Sequence, residues 1–211
     1  MAKKTLLIIT AAIAIIGCKA RVVEADTALR KRVTMATICI QRSDGGGGSG
    51  IITVINGTKY VLTANHVVKG ARYVRLVGMG DRSYGCVNRC AGWHDEYDIA
   101  SLPLPRSLQH LPAIPLHKGK PAVGTQVYLT GLPGGYLHIT EGKVSSYGYG
   151  DEELRHTASS EGGASGGALV TSMGTVCGIH TGSYLPGSSL YPQKSATPSL
   201  IIIRLVAMNC R

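Results

Sequence analysis

An all-β protein is the fold class this sequence predicts, and three observations predict it. The 211 residues include 28 glycines and no phenylalanine, and the strand-forming residues Val, Ile, Thr and Tyr are abundant. Short runs of these residues are bounded by turn pairs such as Asn56-Gly57, the two-residue signal of a β-hairpin. No heptad pattern and no repeat of about 20 to 50 residues competes with that reading. The length suits one compact domain, or one domain made of two small barrels.

The N-terminus reads as a targeting segment, set apart from the fold. Lys3 and Lys4 open it, and Leu6 to Ile16 form an apolar run too short for a comfortable membrane span. The run ends in Ile15-Ile16-Gly17-Cys18, which resembles the bacterial lipobox. On that resemblance residues 1–18 are a lipoprotein-type signal peptide and Cys18 is the lipidation site. The protein is then expected to be a membrane-anchored periplasmic or cell-surface lipoprotein. An ordinary secretory signal cut after Ala20 is the alternative, since Ile15 stands where Leu is usual; either implies export. Residues 19–32 read as a polar linker, with Arg30-Lys31-Arg32 a solvated run rather than a lipid or nucleic-acid contact. The net charge of +10 is scattered, and no nucleic-acid fold signature accompanies it. It reads as a surface property that attracts acidic substrates.

Of six cysteines, Cys18 belongs to the leader, leaving Cys39, Cys86, Cys90, Cys177 and Cys210. An odd number leaves at least one thiol without an intramolecular partner. Cys86 and Cys90 are close enough to close a small disulfide loop, Cys39 with Cys210 is another candidate bridge, and Cys177 reads as a buried thiol. No second cysteine pair follows at zinc spacing, and no metal or organic cofactor is expected.

Along the chain, Val33 to Ile40 reads as the first strand and residues 41–48 as a loop. The run Gly45 to Gly48 lacks the Lys-Ser/Thr ending of a phosphate-binding loop. Ser49 to Ile55 and Thr58 to Thr63 pair as a hairpin that carries His66 to a strand end. Ala71 to Met79 is a strand, Tyr84 to Gly92 a surface loop, and Ile99 to Leu102 a short strand after Asp98. Pro103 to Pro115 is a connection. Beyond Pro121, strands are expected at Gln126 to Thr130, Leu137 to Thr140 and Glu141 to Ser146. A hairpin of Gly166 to Thr171 with Gly174 to His180 follows. Thr197-Pro198 opens a C-terminal helix over Ser199 to Met208.

Three segments carry chemistry: Thr63-Ala64-Asn65-His66-Val67-Val68, Tyr97-Asp98-Ile99-Ala100-Ser101-Leu102 and Gly163-Ala164-Ser165-Gly166-Gly167-Ala168-Leu169. A serine hydroxyl is a poor nucleophile at neutral pH and needs an imidazole as general base. The imidazole needs a carboxylate to fix its tautomer and stabilise its charged form. Glycines beside the serine permit a tight turn whose N–H groups converge on an oxyanion. Each string alone is commonplace; in the order His, Asp, Ser the set resembles the trypsin/chymotrypsin-like serine protease superfamily, from about residue 33 to the C-terminus. The resemblance implies two six-stranded antiparallel β-barrels with a short C-terminal helix. Barrel one would span about 33–105, barrel two about 118–197 and the helix about 198–209.

It also implies a serine endopeptidase acting on protein or peptide substrates, with His66, Asp98 and Ser165 catalytic. The N–H groups of Gly163 and Ser165 would form the oxyanion hole. Asp98 is preferred over Asp95 because the apolar run follows it. Ala164 stands where the pancreatic enzymes carry an aspartate, so their activation salt bridge cannot form. Gly178-Ile179-His180-Thr181-Gly182 resembles a string of glutamyl endopeptidases and viral chymotrypsin-like proteases. That likeness implies a specificity pocket of Ser160, His180, Thr181 and Gly182, cleavage after Glu or Gln, and a pH-dependent choice between them if His180 ionises. The 46 residues after Ser165 leave no room for a further PDZ-type domain on this expectation. A catalytically silent protease-like binding protein and a viral or phage processing protease are the alternatives.

Overall fold

A computed structural model describes residues 27–88, 90–132, 135–184 and 193–209. Cys18 and Cys210, with the readings placed on them, lie outside the described residues. The first half builds a seven-stranded antiparallel sheet of order β5-β4-β1-β2-β3-β7-β6. Its strands are β1 (Thr37–Arg42), β2 (Gly47–Ile55), β3 (Thr58–Ala64), β4 (Val74–Gly78), β5 (Tyr84–Val87), β6 (Gly92–His94) and β7 (Ile99–Pro103). The second half is a closed six-stranded barrel, β10-β13-β12-β11-β8-β9. It comprises β8 (Gln126–Gly131), β9 (His138–Tyr147), β10 (Leu154–His156), β11 (Ala168–Thr171), β12 (Val176–Tyr184) and β13 (Gln193–Pro198). This is the double-barrel architecture expected, except that the first unit has seven strands and an open order rather than six closed ones.

Alternation along β2 and β3 explains how the halves join. Ile52 pairs with Val61 and both face the core of the first sheet, beside Ile38, Ile40, Leu76 and Leu102. Their neighbours Ile51 and Leu62 also pair, and face the opposite way. There they meet Ile99, Ile114, Val170 and Ile179 in a second core between the barrels. A hairpin buried on both faces needs a continuous apolar run, which Val61-Leu62 and Ile51-Ile52 supply. The closed barrel has its own core of Val127, Leu129, Val144, Leu154, Leu169 and Cys177.

Residues 27–36 form a helix, α1, where a linker and the start of a strand were expected. Leu29, Val33 and Ala36 fall on one helical face and pack on the core between the barrels. Arg30 pairs with Glu141 and lies over the Tyr128 ring, and Arg32 donates to the Ala113 carbonyl at 2.9 Å. Two of the three residues in the basic run are therefore docked on the fold. The expected surface loop at 84–92 holds β5 and the start of β6, the two strands expected over 137–146 are one, and β10 and β13 were not anticipated. The helix α2 (Asn65–Val68) is a single turn, and α3 (Ser199–Asn209) closes the chain.

Among the described residues, Cys39, Cys86, Cys90 and Cys177 are free thiols. The Cys86–Cys90 bridge does not form because β5 turns Cys86 outward while Cys90 packs inward on the first core. Cys177 is buried, which pushes its thiol up to about 12. No helix among the described residues is long and apolar enough to cross a membrane.

Leu62 is fully enclosed where β3 faces the second barrel. Leu62→Ala is expected to cost about 2 to 5 kcal/mol, read as a lower urea midpoint at unchanged slope.

Candidate active site

Strand β3 is buried over Val61 to Ala64 and then turns into α2, whose Asn65, Val67 and Val68 face inward. His66 is left on the open side of that turn. Pairing of β3 with β7 ends at Ala64 with Ile99, so the next residues outward, Asn65 and Asp98, emerge side by side. The Asn65 N–H donates to the Asp98 carbonyl at 3.0 Å. The His66 N–H donates to Asp98 Oδ1 at 2.8 Å, and His66 Nδ1–H donates to Asp98 Oδ2 at 2.6 Å. A carboxylate only accepts, so the proton of neutral His66 sits on Nδ1 and Nε2 is bare. Asp98 raises the His66 pKa above 6.5, first by this hydrogen bond and then by its charge, against partial burial. Asp98 itself holds φ at +47°, a left-handed conformation Asp tolerates better than most residues.

Asp95 does a different job. Its Oδ1 accepts from Asn65 Nδ2 and from Lys69 Nζ, both at 2.7 Å, so it braces the helix that carries His66.

Ser165 lies in the turn before β11. Ala164 N–H donates to the Glu161 carbonyl at 3.0 Å, and Gly163 at the third position has φ +96°. Those two facts define a type II turn, which requires a positive φ there. Among the described residues, no acceptor takes the N–H of Gly163 or of Ser165. Ser165 faces the start of β2, where a Cβ added to Gly48 would meet the Ser165 carbonyl at 2.7 Å and a Val67 methyl at 2.9 Å. The nucleophile candidate and the His66 helix thus flank the same residue.

The four pocket residues are not brought together evenly. Ser160 lines a cavity of about 30 Å³ with Gly131, His138, Thr140, Glu161 and Ala164, and His180 is not among its walls. His180 is buried on β12, with Nδ1 3.2 Å from His156 Nε2 on β10. Thr181 occupies an irregularity in β12–β13 pairing and bonds Ser195 at 3.3 Å, while space beside Gly182 is open. His156 Nδ1 is buried and unpartnered. A bare nitrogen tolerates that better than an orphaned N–H, so His156 carries its proton on Nε2 and donates to His180. His180 then carries its own on Nε2.

Burial holds both imidazoles neutral, His156 down to about 3 and His180 down to about 4; a hydrogen bond with the Ser195 backbone partly opposes the shift of His180, and neighbouring positive charge lowers both further. The condition placed on a pH-dependent choice between Glu and Gln, that His180 ionises, is not favoured by a ring held neutral in this way. Sequence reasoning missed His156 and, having set Asp95 aside in favour of Asp98, gave it no role, because a pair formed across strands or turns leaves no local signal.

Imidazole resonances followed against pH should show His66 titrating above 6.5 and falling in Asp98→Asn, with His156 and His180 uncharged until well below pH 5. The two depressed groups stabilise the fold fully above pH 6.5, and that stability is lost as pH falls toward their native values. Each proton taken up on unfolding adds a slope of about 1.4 kcal/mol per pH unit. Denaturant midpoints that stay flat between pH 6.5 and 4 would contradict this.

Residues 48–179 match the family model of the trypsin-like peptidase domain. The chain is 31% identical over 163 residues to the periplasmic pH-dependent serine endoprotease DegQ of Escherichia coli (strain K12), covering 73% of this chain and 35% of that protein. It is 27% identical over 175 residues to Protease Do-like 1, chloroplastic, of Arabidopsis thaliana, covering 77% and 39% respectively. The crystal structure of the serine endoprotease from Yersinia pestis aligns with a TM-score of 0.73 at 26% identity, covering 89% of this chain and 68% of that one. The chain spans well under half the length of these two curated relatives. With more than half of its residues matched by the family model, the chain belongs to the trypsin-like peptidase family.

Proposed function

We propose that this protein is a serine endopeptidase that hydrolyses peptide bonds through an acyl-enzyme on Ser165. The observation that carries the reading is the two-oxygen grip of Asp98 on His66, which leaves Nε2 bare on the side open to solvent. In the first step Ser165 Oγ bonds to the substrate carbonyl carbon as its proton passes to His66 Nε2. The oxygen that becomes negative is stabilised by the N–H groups of Gly163 and Ser165, each such donor worth on the order of a hundredfold to a thousandfold in turnover. His66 gives the proton to the departing amine as the C–N bond breaks. Water then attacks the ester with the same base, and Ser165 is released with its proton restored.

Within that reading the side chain before the cleaved bond is Glu or Gln. A neutral His180 with its proton on Nε2 is a donor suited to either side-chain oxygen, with the Ser160 hydroxyl as a second partner. Thr181 and Gly182 would run beside the substrate main chain. Because His180 stays neutral, the choice between Glu and Gln follows the ionisation of the substrate and not of the enzyme.

Export is the last part of the proposal. The apolar run ending at Cys18 supports it, and the two relatives are named periplasmic and chloroplastic. A lipid on Cys18 would anchor the protein to a membrane surface.

Ser165→Ala should abolish hydrolysis in a folded protein, and His66→Ala should do nearly the same, the double variant being little worse. Fluorophosphonate labelling separates an enzyme from a silent binding protein, since only an activated serine reacts. Profiling on a peptide library should show His180→Ala losing cleavage after Glu and Gln; a wild-type preference for Arg, Lys or large aromatics would sink the specificity. Mass spectrometry of the mature N-terminus should find a lipid on Cys18 that is absent from Cys18→Ser, and a free amine beyond Cys18 would mean ordinary secretion.

A further inference from the structure

Ser49 is fully buried at the start of β2, and its hydroxyl makes two hydrogen bonds. It accepts the Leu132 N–H at 2.9 Å and donates to the Gly163 carbonyl at 2.6 Å. The amide can only donate and the carbonyl can only accept, so the direction of the hydroxyl proton is forced. We propose that Ser49 is a positioning residue for the oxyanion hole, holding the Gly163 and Ser165 N–H groups in their catalytic directions through the peptides beside them. The inference rests on the peptidase reading above.

The geometry works by bracketing. The hole would be built from the N–H of the 162–163 peptide and the N–H of the 164–165 peptide. The peptide between them, 163–164, is fixed at both ends: its N–H on Glu161 and its carbonyl on Ser49 Oγ. The next peptide, 165–166, is also fixed at both ends, its carbonyl on the Ser49 N–H at 2.8 Å and its N–H on the His180 carbonyl at 2.7 Å. Ser49 therefore supplies one anchor to each bracketing peptide. One anchor is backbone and survives any substitution; the other is the side chain and does not. Without the hydroxyl, the Gly163 carbonyl loses its partner in a half-buried place. Rotation of the 163–164 peptide toward water, about a glycine with few steric limits, then relieves it and swings the hole donors away.

Wild type, Ser49→Ala and Ser49→Cys would be assayed beside Ser165→Ala on one peptide substrate. A peptide trifluoromethyl ketone serves as the probe, because the oxygen of its adduct with Ser165 occupies the hole. Ser49→Ala is expected to lower kcat about tenfold to a hundredfold, somewhat less than outright loss of one donor. KM and the affinity for product peptide should move less than about twofold, while the ketone weakens in step with kcat/KM. Ser49→Cys fills the same space with a weak donor and should track Ser49→Ala. It carries the same test if the alanine variant fails to fold. Near-normal kcat in a folded Ser49→Ala, or full activity in Ser49→Cys, overturns the inference. So does an equal loss of kcat and of product binding, which marks a general loosening. Absence of Ser165-dependent hydrolysis in wild type would overturn the peptidase reading instead.

Discussion

The carbonyl of Ser165 accepts the N–H of Ser49 at 2.8 Å, and this bond ties the serine loop of the closed barrel to the second strand of the open sheet. The chains approach so closely that side chains are excluded on both sides. A Cβ at Gly166 would lie 2.2 Å from the Ser49 carbonyl and from Thr63 Oγ1. The Thr63 hydroxyl in turn donates to the Ser49 carbonyl at 2.7 Å, two residues before Asn65 and the His66 turn. One cross-barrel contact therefore fixes the serine loop relative to the strand that delivers the histidine. Gly48, before Ser49, and Gly166, after Ser165, both belong to that single contact.

The buried imidazole pair shows the same economy of partners in a different setting. Two buried histidines on β10 and β12, the strands on either side of β13, could not both ionise, and burial keeps each neutral. A neutral pair needs one donor and one acceptor at the shared contact, and the orphaned Nδ1 of His156 decides which is which. The result is a ring whose second nitrogen keeps a proton without carrying charge. His66, half open to solvent and paired with a carboxylate, is pushed the other way, toward its charged form. Position in the fold, rather than residue type, separates a titrating histidine from two silent ones.

Much of the site was legible in sequence because its parts sit at strand ends. The Asn56-Gly57 turn, with φ of 49° and 79°, forms as its residues dictate and sets the register that ends at His66. Asp98 was separable from Asp95 because Ile99 starts a strand, and the structure gives the two carboxylates different partners. Illegible parts share one cause: their structure depends on distant residues. In the helix at 27–36, Leu29, Val33 and Ala36 need the surface between the barrels to become a stripe. Strands β10 and β13 are short and polar, and each is stabilised by the barrel that it closes. The Cys86–Cys90 spacing suggested a bridge that strand alternation forbids.

The two halves also constrain each other reciprocally at the acid–base pair. Tyr97 precedes Asp98, and its carbonyl accepts the hydroxyl of Thr197 at the end of β13. Its phenol donates to Glu152 at 3.1 Å, again from the second half of the chain. The closed barrel therefore braces the residue beside Asp98, while the open sheet braces the residues beside Ser165. Neither unit can shift along the seam without straining the other's contribution. That matters because a reacting pair misplaced by about 1 Å can lose on the order of a hundredfold in rate. A site divided between two barrels gains its accuracy from such crossed supports, since each barrel's own core fixes only one half of it.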